Sequence, residues 1–211
     1  MPNRTGKTET TGPITIKRLN RVTIDVPIVG VSPLIPHKWS EKALRLMREA
    51  QSGQTARPKK EPKVPEEEAE AAMYRLPDGR PGFPATGFKA AIVGAARLFE
   101  GLTMTALKSG LFVEGEGVDQ LIPIEGEMTL REDTPRLASG VADLRYRYQF
   151  LPWSAVLRVT FLQALMDAQS VHALVDAAGN GGVGDWRPSA PKSHTGTYGR
   201  FEVRGDPESR V

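Results

Sequence analysis

The last quarter of the chain carries the residues whose types and spacing best suit ligand binding. Residues 181–187 read Gly-Gly-Val-Gly-Asp-Trp-Arg, and residues 198–203 read Tyr-Gly-Arg-Phe-Glu-Val. Glycine lets a backbone approach a ligand closely and adopt positive φ without steric cost. Cations and aromatic rings beside such a backbone suit the phosphates and unstacked bases of a single-stranded nucleic acid. We assign this role to Trp186, Arg187, Lys192, His194 and Arg200.

Further cations and aromatic residues extend this candidate interface. Thr86 is the predicted N-cap of a helix, and Lys89 falls in its first turn. A cation there opposes the helix dipole by on the order of a few tenths of a kcal/mol, so the position favours Lys89 only beside an anion. Arg145 and Arg147 alternate with tyrosines on a predicted strand, and we expect the arginines to line a groove on its solvated face. The additional binding residues are Lys38, Trp39, Lys89, Arg97, Arg145 and Arg147.

His37 is the one residue for which the sequence offers a catalytic role. A general acid or base needs a partner within hydrogen-bond reach, and residues 31–40 contain no aspartate and no second histidine. The three histidines show no metal-ligand spacing, and the chain has no cysteine. Residues 179–184 also lack the Gly-Lys-Ser/Thr ending of a nucleotide-binding loop. We therefore predict no catalytic residue, no metal ion and no cofactor.

The composition fits a chain with one hydrophobic core. The 211 residues are 39% hydrophobic with a net charge of +3, and the isoelectric point is about 9.2. This weakly basic balance permits nucleic-acid binding without demanding it. The first 13 residues lack the apolar core of a signal peptide, and no run approaches the ~20 apolar residues that span a membrane. We expect a soluble protein of the cytoplasm, in a bacterial cell or an infected host cell, without a membrane partner.

Hydrophobic periodicity predicts the order of strands and helices. Alternating apolar residues indicate strands, and apolar residues at three- and four-residue spacing indicate helices. Pro152 indicates a break, so residues 143–161 are predicted as two strands folded near residues 151–154. Strands are predicted at residues 14–30, 121–131, 143–161 and 198–203, and helices at 39–51, 65–74, from 86 onward, and at 167–178 with Gly179 as the residue that ends it.

The C-terminal elements determine the predicted fold class. Their order of strand, helix, glycine-rich loop and strand is that of the second half of a ferredoxin-like, or RRM-like, domain. We therefore predict an α+β fold in which an antiparallel ferredoxin-like sheet carries two helices on one face. Residues 1–13 are predicted as a flexible arm, and residues 14–211 as a single RRM-like domain. Within it, residues 31–83 form a helical, thumb-like insertion with a proline-containing linker at 52–65.

Three segments together resemble the RAMP superfamily, which includes the guide-RNA-coating backbone subunits of CRISPR effector complexes. Residues 29–36, Val-Gly-Val-Ser-Pro-Leu-Ile-Pro, resemble the end of the family's first strand. Residues 83–93, Phe-Pro-Ala-Thr-Gly-Phe-Lys-Ala-Ala-Ile-Val, resemble the start of its first helix, although Ala-Thr-Gly stands where the family often has Gly-Ser-Ser. Residues 182–187 and 198–203 resemble its glycine-rich loop and last strand. The chain also looks like a type of phage or prophage protein.

The resemblance implies an RRM-like core with a thumb-like insertion that binds single-stranded nucleic acid and packs side by side along it. We expect largely sequence-independent binding of single-stranded DNA or RNA by a homo-oligomer or filament. The protein is then either a phage single-strand DNA-binding or annealing protein, or a guide-RNA-coating CRISPR-type backbone subunit. Affinity from phosphate contacts and base stacking should depend strongly on salt.

Two alternatives remain open from the sequence. RAMP endonucleases often use a histidine, so the resemblance also permits a metal-independent RNA endonuclease that uses His37. In target-cleaving backbone subunits an aspartate in the same loop carries the cut, and residues 31–40 have none. The other alternative is a structural subunit that binds only protein. The apolar face of the helix at residues 39–51 has no obvious place on a small core, and such a surface usually finds a partner.

Overall fold

The computed structural model describes residues 16–53, 62–134, 143–191 and 194–205 of the chain. The strands of the described residues are β1 (Arg21–Gly30), β2 (Tyr74–Arg75), β3 (Pro81–Pro84), β4 (Leu111–Glu114), β5 (Leu121–Pro123), β6 (Glu125–Asp133), β7 (Arg145–Leu162) and β8 (Phe201–Val203). The helices are α1 (Glu41–Gln51), α2 (Pro65–Ala71), α3 (Ala85–Ala95), α4 (Met104–Gly110) and α5 (Ala168–Gly181), with a 3-10 turn at Ala96–Leu98.

The central sheet has the strand order β4-β7-β1-β8, and each neighbouring pair is antiparallel. Along the chain, the elements of this layer follow the order β1, α3, β4, β7, α5, β8. This is the strand-helix-strand-strand-helix-strand plan of a ferredoxin-like domain. The predicted fold class is therefore confirmed. A second, smaller antiparallel sheet has the order β2-β3-β5.

The core lies between the central sheet and the pair of helices α3 and α5. Alternate residues of β1 and β7 face the helices because side chains on a strand alternate between its two faces. Removing each large aliphatic or aromatic side chain from water stabilises the fold by about 1.5–3 kcal/mol. The fully buried side chains include Val26, Ile28, Phe88, Ile92, Leu157, Val159, Val171 and Val175.

One strand of 18 residues, β7, replaces the two strands predicted for residues 143–161. The first half of β7 pairs with β6, and its second half pairs with β1 and β4. The predicted break at Pro152 is wrong because Pro152 lies opposite an irregularity in β6, between Gly126 and Met128. Proline lacks the N–H that a regular ladder uses, and an irregularity of this kind tolerates its absence. The second strand of the core is instead β4, which the sequence analysis did not predict.

Two predicted helix ends are also wrong. α3 begins at Ala85 with Pro84 as its cap, so Thr86 lies inside the first turn. α5 continues through Gly179 to Gly181. A Cβ atom at Gly179 would overlap the backbone carbonyl of Phe201. Glycine at this position therefore serves the close approach of α5 to β8 and not the end of the helix.

The excursion between β1 and β3 begins inside the core. Leu34 is fully buried and forms an isolated bridge with Phe150 of β7. α1 then begins after the predicted cap Ser40, whose hydroxyl accepts a hydrogen bond from the Ala43 N–H at 3.2 Å. α2 packs on β7 and buries Ala69. The predicted arm and most of the predicted linker lie outside the described residues, and the predicted domain boundaries stay a prediction.

Candidate nucleic-acid interface

Hydrogen bonds fix the glycine-rich loop, residues 181–187, to the segment that follows β1. The Asp185 N–H donates to the Ile35 carbonyl at 2.9 Å, and the Gly199 N–H donates to the Pro33 carbonyl at 2.7 Å. Gly199 has a φ of 64°, in the left-handed region that favours glycine. The loop therefore has a defined shape, and it shares one surface with residues 33–37.

A cleft of about 560 Å³ separates this loop from α3. The α3 wall is built from small residues that recur three, four and seven positions apart, so they lie on one face of the helix. The opposite wall includes the loop backbone at residues 182–184. Small side chains keep the cleft open to a ligand that needs close backbone approach. The residues of the α3 wall are Gly87, Ala90, Ala91 and Gly94.

Two arginines and a histidine line the cleft. The arginines are the predicted binding residues Arg97 and Arg187, and the histidine is His37, the candidate catalytic residue. Arg97 is exposed and lines the cleft. Arg187 donates a hydrogen bond from Nη1 to the Gly184 carbonyl at 2.9 Å, which orients its guanidinium along the loop. His37 lines the same cleft from the other side. Among the described residues that line it, Asp185 is the one carboxylate.

His37 and Asp185 form a pair that sequence reasoning missed. His37 Nδ1 lies 2.9 Å from Asp185 Oδ2, and the carboxylate accepts the proton of this hydrogen bond. Such a contact fixes the orientation of the imidazole, so that its other nitrogen, Nε2, faces away from Asp185. Residues 31–40 contain no aspartate and no second histidine, so nothing in the sequence near His37 indicates this partner. Asp185 stood in the glycine-rich segment, and no local pattern linked the two.

The electrostatics of the cleft keep the Asp185 carboxylate ionised and the neighbouring phenol neutral. Burial raises the pKa of Asp185, but the hydrogen bond and charge of His37, with the charges of Arg147 and Arg145, bring that pKa below its usual value. Burial, followed by the charge of Asp185, raises the pKa of Tyr74. Tyr74 also lines the cleft, and its hydroxyl donates to the His37 carbonyl at 3.4 Å.

Arg147 is buried, so the predicted solvated arginine face is wrong at this position. Only 2% of its side chain is exposed. Its guanidinium donates to Asp133 Oδ2 at 3.0 Å and forms a second ion pair with Asp185. A buried cation needs such partners because desolvation penalises an unpaired charge. Arg147 therefore holds the Asp185 carboxylate from the buried side of the cleft.

Trp186, predicted as a base-stacking residue, has neighbours inside the protein. Its ring lies 4.8 Å from the Arg147 guanidinium carbon and 5.2 Å from that of Arg131. The Tyr198 ring lies 5.7 Å away, and Arg131 also lies over that ring at 5.0 Å. Cation–π contacts of this kind contribute about 0.5–2 kcal/mol each. The structure thus gives Trp186 an internal role, holding the glycine-rich loop against the β6–β7 hairpin.

Several predicted binding residues lie away from the cleft. Lys89 donates to the Lys108 carbonyl at 3.0 Å and lies 4.3 Å from the Phe112 ring centre, on the side of α3 towards β4. Arg145 pairs with Asp143 at 3.3 Å. The remaining predicted residues lie on other surfaces: Lys38 and Trp39 face a depression shared with the acidic residues of α2, His194 and Arg200 are exposed, and Lys192 lies outside the described residues.

Comparisons with known proteins show similarity in fold. No protein-family model and no curated protein sequence matches the chain. Solved structures that are similar in three dimensions include the following two. The first is a chain of the Type III-B Cmr-beta complex bound to cognate target RNA, with a TM-score of 0.50 and 10% sequence identity over 88% of this chain and 59% of that chain. The second is Cmr6 from Pyrococcus furiosus, with a TM-score of 0.44 and 11% identity over 88% of this chain and 98% of that chain.

At these identities the likeness concerns the fold. The first similarity agrees with the predicted ferredoxin-like fold, and in it this chain spans about 59% of the length of its relative. In the described part of the chain, no helix is long and apolar enough to cross a membrane. The same residues contain no group of three or more histidines and carboxylates placed to hold a metal ion.

Proposed function

We propose that the cleft between α3 and the glycine-rich loop binds the backbone of a single-stranded nucleic acid, largely without regard to sequence and without cleaving it. One observation carries the proposal. Arg97 and Arg187 line the same cleft, and the one carboxylate described there, Asp185, is already paired with His37 and Arg147. The net field in the cleft therefore favours an anion.

The walls of the cleft suit a sugar–phosphate chain better than a particular base. Contacts to phosphate position a nucleic acid but carry no sequence information. The small residues of α3 and the backbone of residues 182–184 offer no side chain that reads a base edge. Binding by the two arginines alone should fall as salt rises, because each neutralised phosphate releases counterions.

RNA is the first ligand to test, and single-stranded DNA the second. The similar Cmr-beta chain belongs to a complex described as bound to target RNA. That fold similarity supports a role as a subunit that coats RNA in a CRISPR-like complex. A phage single-strand DNA-binding or annealing role stays the alternative within the same proposal. In both roles we propose that copies assemble side by side along the strand.

The absence of cleavage is part of the proposal. Cutting RNA without a metal ion needs one group to take a proton and another to give one. His37 supplies one such group. The nearest second group is Asp185, whose lowered pKa leaves its carboxylate without a proton to give at neutral pH. Tyr74 also lines the cleft, but its raised pKa makes the phenol a poor proton donor.

A metal-independent RNA endonuclease is the second candidate, because a specific observation favours it. The 2.9 Å contact with Asp185 orients the His37 imidazole as an acid–base catalyst requires. Labelled RNA incubated with the protein in the presence of a chelator should stay intact. Cleavage that is lost in both His37→Ala and Asp185→Asn would establish the endonuclease instead.

Fluorescence anisotropy with labelled single-stranded RNA and DNA at low salt tests binding. The variant Arg97→Ala/Arg187→Ala should bind more weakly. Its binding constant should also depend less steeply on salt concentration, as expected when about two fewer phosphates are neutralised. Arg158→Ala is the matched control, since Arg158 is an exposed arginine of the opposite sheet face that pairs with Glu114. Equal affinity of the cleft variant and the control would move the site elsewhere. No binding of either nucleic acid would favour a subunit that binds only protein.

A further inference from the structure

α1 is an amphipathic surface helix whose apolar face is not covered by the described helices and strands. None of its residues is buried, and no other described helix or strand packs extensively against it. Ala43, Leu46, Met47 and Ala50 recur at helical spacing and share one face. An isolated helix of this length is marginal in water, so packing on that face is what would stabilise it.

A second apolar surface without cover lies beside the start of α5. It is a groove of about 460 Å³ between the loop at residues 99–102 and the segment at residues 165–174. Phe99 lines it and is 40% exposed. The other apolar residues of the groove are Leu102, Leu165, Met166, Ala173 and Leu174.

The helix and the groove carry complementary charge. α1 has three cations, Lys42, Arg45 and Arg48, against two glutamates. The groove is lined by two carboxylates, Glu100 and Asp167, and by no lysine or arginine among the described residues. Complementary charge of this kind steers two surfaces together and fixes their orientation.

The two surfaces lie at opposite ends of the central strands. β1 pairs with β7 from Arg21 opposite Leu162 to Val29 opposite Ser154. α1 follows the Val29 end of β1, and the groove follows the Leu162 end of β7. Eight residue steps along a strand separate these ends by roughly 27 Å. The α1 and the groove of one molecule therefore follow different ends of the sheet, and each is open to another molecule.

We propose that the apolar face of α1 docks in this groove of a second copy of the chain. The inference rests on the side-by-side assembly in the proposed function and names the two surfaces that make it. A contact that joins two different surfaces repeats from copy to copy. It produces an open filament, unless the rotation between neighbouring copies closes the assembly into a ring. Two residues of the cleft are close in sequence to these surfaces: His37 lies four residues before α1, and Arg97 lies two residues before Phe99 of the groove. Successive docked copies thus bring their clefts close together along a bound strand.

The absence of cysteine from the chain makes thiol cross-linking a direct test. One variant carries Met47→Cys, and a second carries Ala173→Cys at an exposed position of the groove. A fused tag lengthens the second variant, so that the mixed dimer differs in size from the dimer of either variant alone. After mixing and oxidation, their mixed disulfide dimer should form roughly tenfold faster than that of a control pair, because docking raises the effective concentration of the thiols. The control joins Met47→Cys to Val156→Cys, exposed on the other sheet face. Equal rates for both pairs would overturn the inference.

Charge reversal provides an independent test of the same contact. Glu100→Lys and Arg45→Glu should each reduce the number of copies bound to a long strand, measured by native mass spectrometry. A chain that carries both changes should regain the assembly, since each interface again joins opposite charges. A double variant that assembles no better than either single variant would contradict the contact.

The two proposals fail in distinguishable ways. Affinity for a strand too short for two copies measures binding in the cleft alone. Cross-linking without nucleic acid measures only the contact between α1 and the groove. Unchanged short-strand affinity with no specific cross-link would overturn only the inference about α1. A specific cross-link in a protein that binds no strand would support the contact and overturn the proposed function.

Discussion

His37 and Asp185 lie 148 positions apart in the chain and share a hydrogen bond of 2.9 Å in the cleft. The contact joins the segment that leaves β1 to the glycine-rich loop. Arg147 holds the same carboxylate from the buried side. A change at any of these three residues should therefore affect both the shape of the cleft and its charge.

Replacing Asp185 with asparagine should remove part of the acid sensitivity of the fold. The pKa of Asp185 is lowered in the folded protein. The carboxylate therefore stabilises the fold above the unfolded aspartate pKa of about 3.9, and this contribution is lost as pH falls through the lower folded value. Urea unfolding at a series of acidic pH values should show a steeper loss of stability for the wild type than for Asp185→Asn. Parallel profiles would contradict the assignment.

Arg147→Ala should be strongly destabilising. It removes the buried cation that Asp133, which is 8% exposed, shares with Asp185, and it leaves Asp133 with its pair to the partly exposed Arg131. Removing one partner of a buried ion pair costs about 3–5 kcal/mol. Arg145→Ala is the matched control on the same strand, because Arg145 is partly exposed and its pair with Asp143 should contribute no more than about 1 kcal/mol. The midpoints of urea unfolding compare the two variants, and similar midpoints would argue against the buried network.

Substitutions at Gly94 should separate ligand binding from folding. A Cβ atom at Gly94 meets open space, and the residue lines the cleft. Gly94→Ala should stabilise α3 by about 0.5–1 kcal/mol and leave the cleft usable. Gly94→Leu should fill the cleft and weaken single-strand binding by roughly tenfold, or about 1.4 kcal/mol. Melting temperature and anisotropy measured on both variants check this, and full affinity in the leucine variant would place the ligand elsewhere.

Trp186 and Arg187 should have different effects although they are adjacent. Trp186→Ala should lower stability by about 1–3 kcal/mol, since the ring contacts Arg131, Arg147 and Tyr198 inside the protein. Arg187→Ala should lower affinity with little change in stability. Trp186→Phe, which keeps an aromatic face, is the control for the first variant. A Trp186→Ala protein with unchanged melting temperature but reduced affinity would restore the original prediction of base stacking.

Local patterns in the sequence were sufficient to locate β1, α3, α5, β8 and the residues of β7, but not β4. The buried stripe of α3, with Phe88 and Ile92, and the alternation in β7 depend on neighbours within one element. The glycine-rich loop was predicted because glycines permit backbone conformations and close approaches that other residues do not. Arg97 and Arg187 were both chosen from local context, and the structure places both at the cleft.

Contacts between distant segments were beyond such patterns. Nothing near Arg147 indicated that Asp133 and Asp185 would surround it, and an alternating strand predicted the opposite exposure. Lys89 was chosen for its place in a helix turn, but the rotation of α3 in the fold directs it towards Phe112. β4 is short and follows α4 without a turn signal, so only its pairing with β7 defines it as a strand.

The strand order also sets a constraint on biosynthesis. β1 ends at Gly30, but its partners begin at Arg145 and Phe201. With translation at about 5–20 residues per second, the nascent β1 waits on the order of ten seconds for β7 to be made. An unpaired strand rich in valine and isoleucine is a site for aggregation during that interval. Yield in a recombinant host should therefore improve when translation is faster through residues 31–144 or when a chaperone holds the nascent chain.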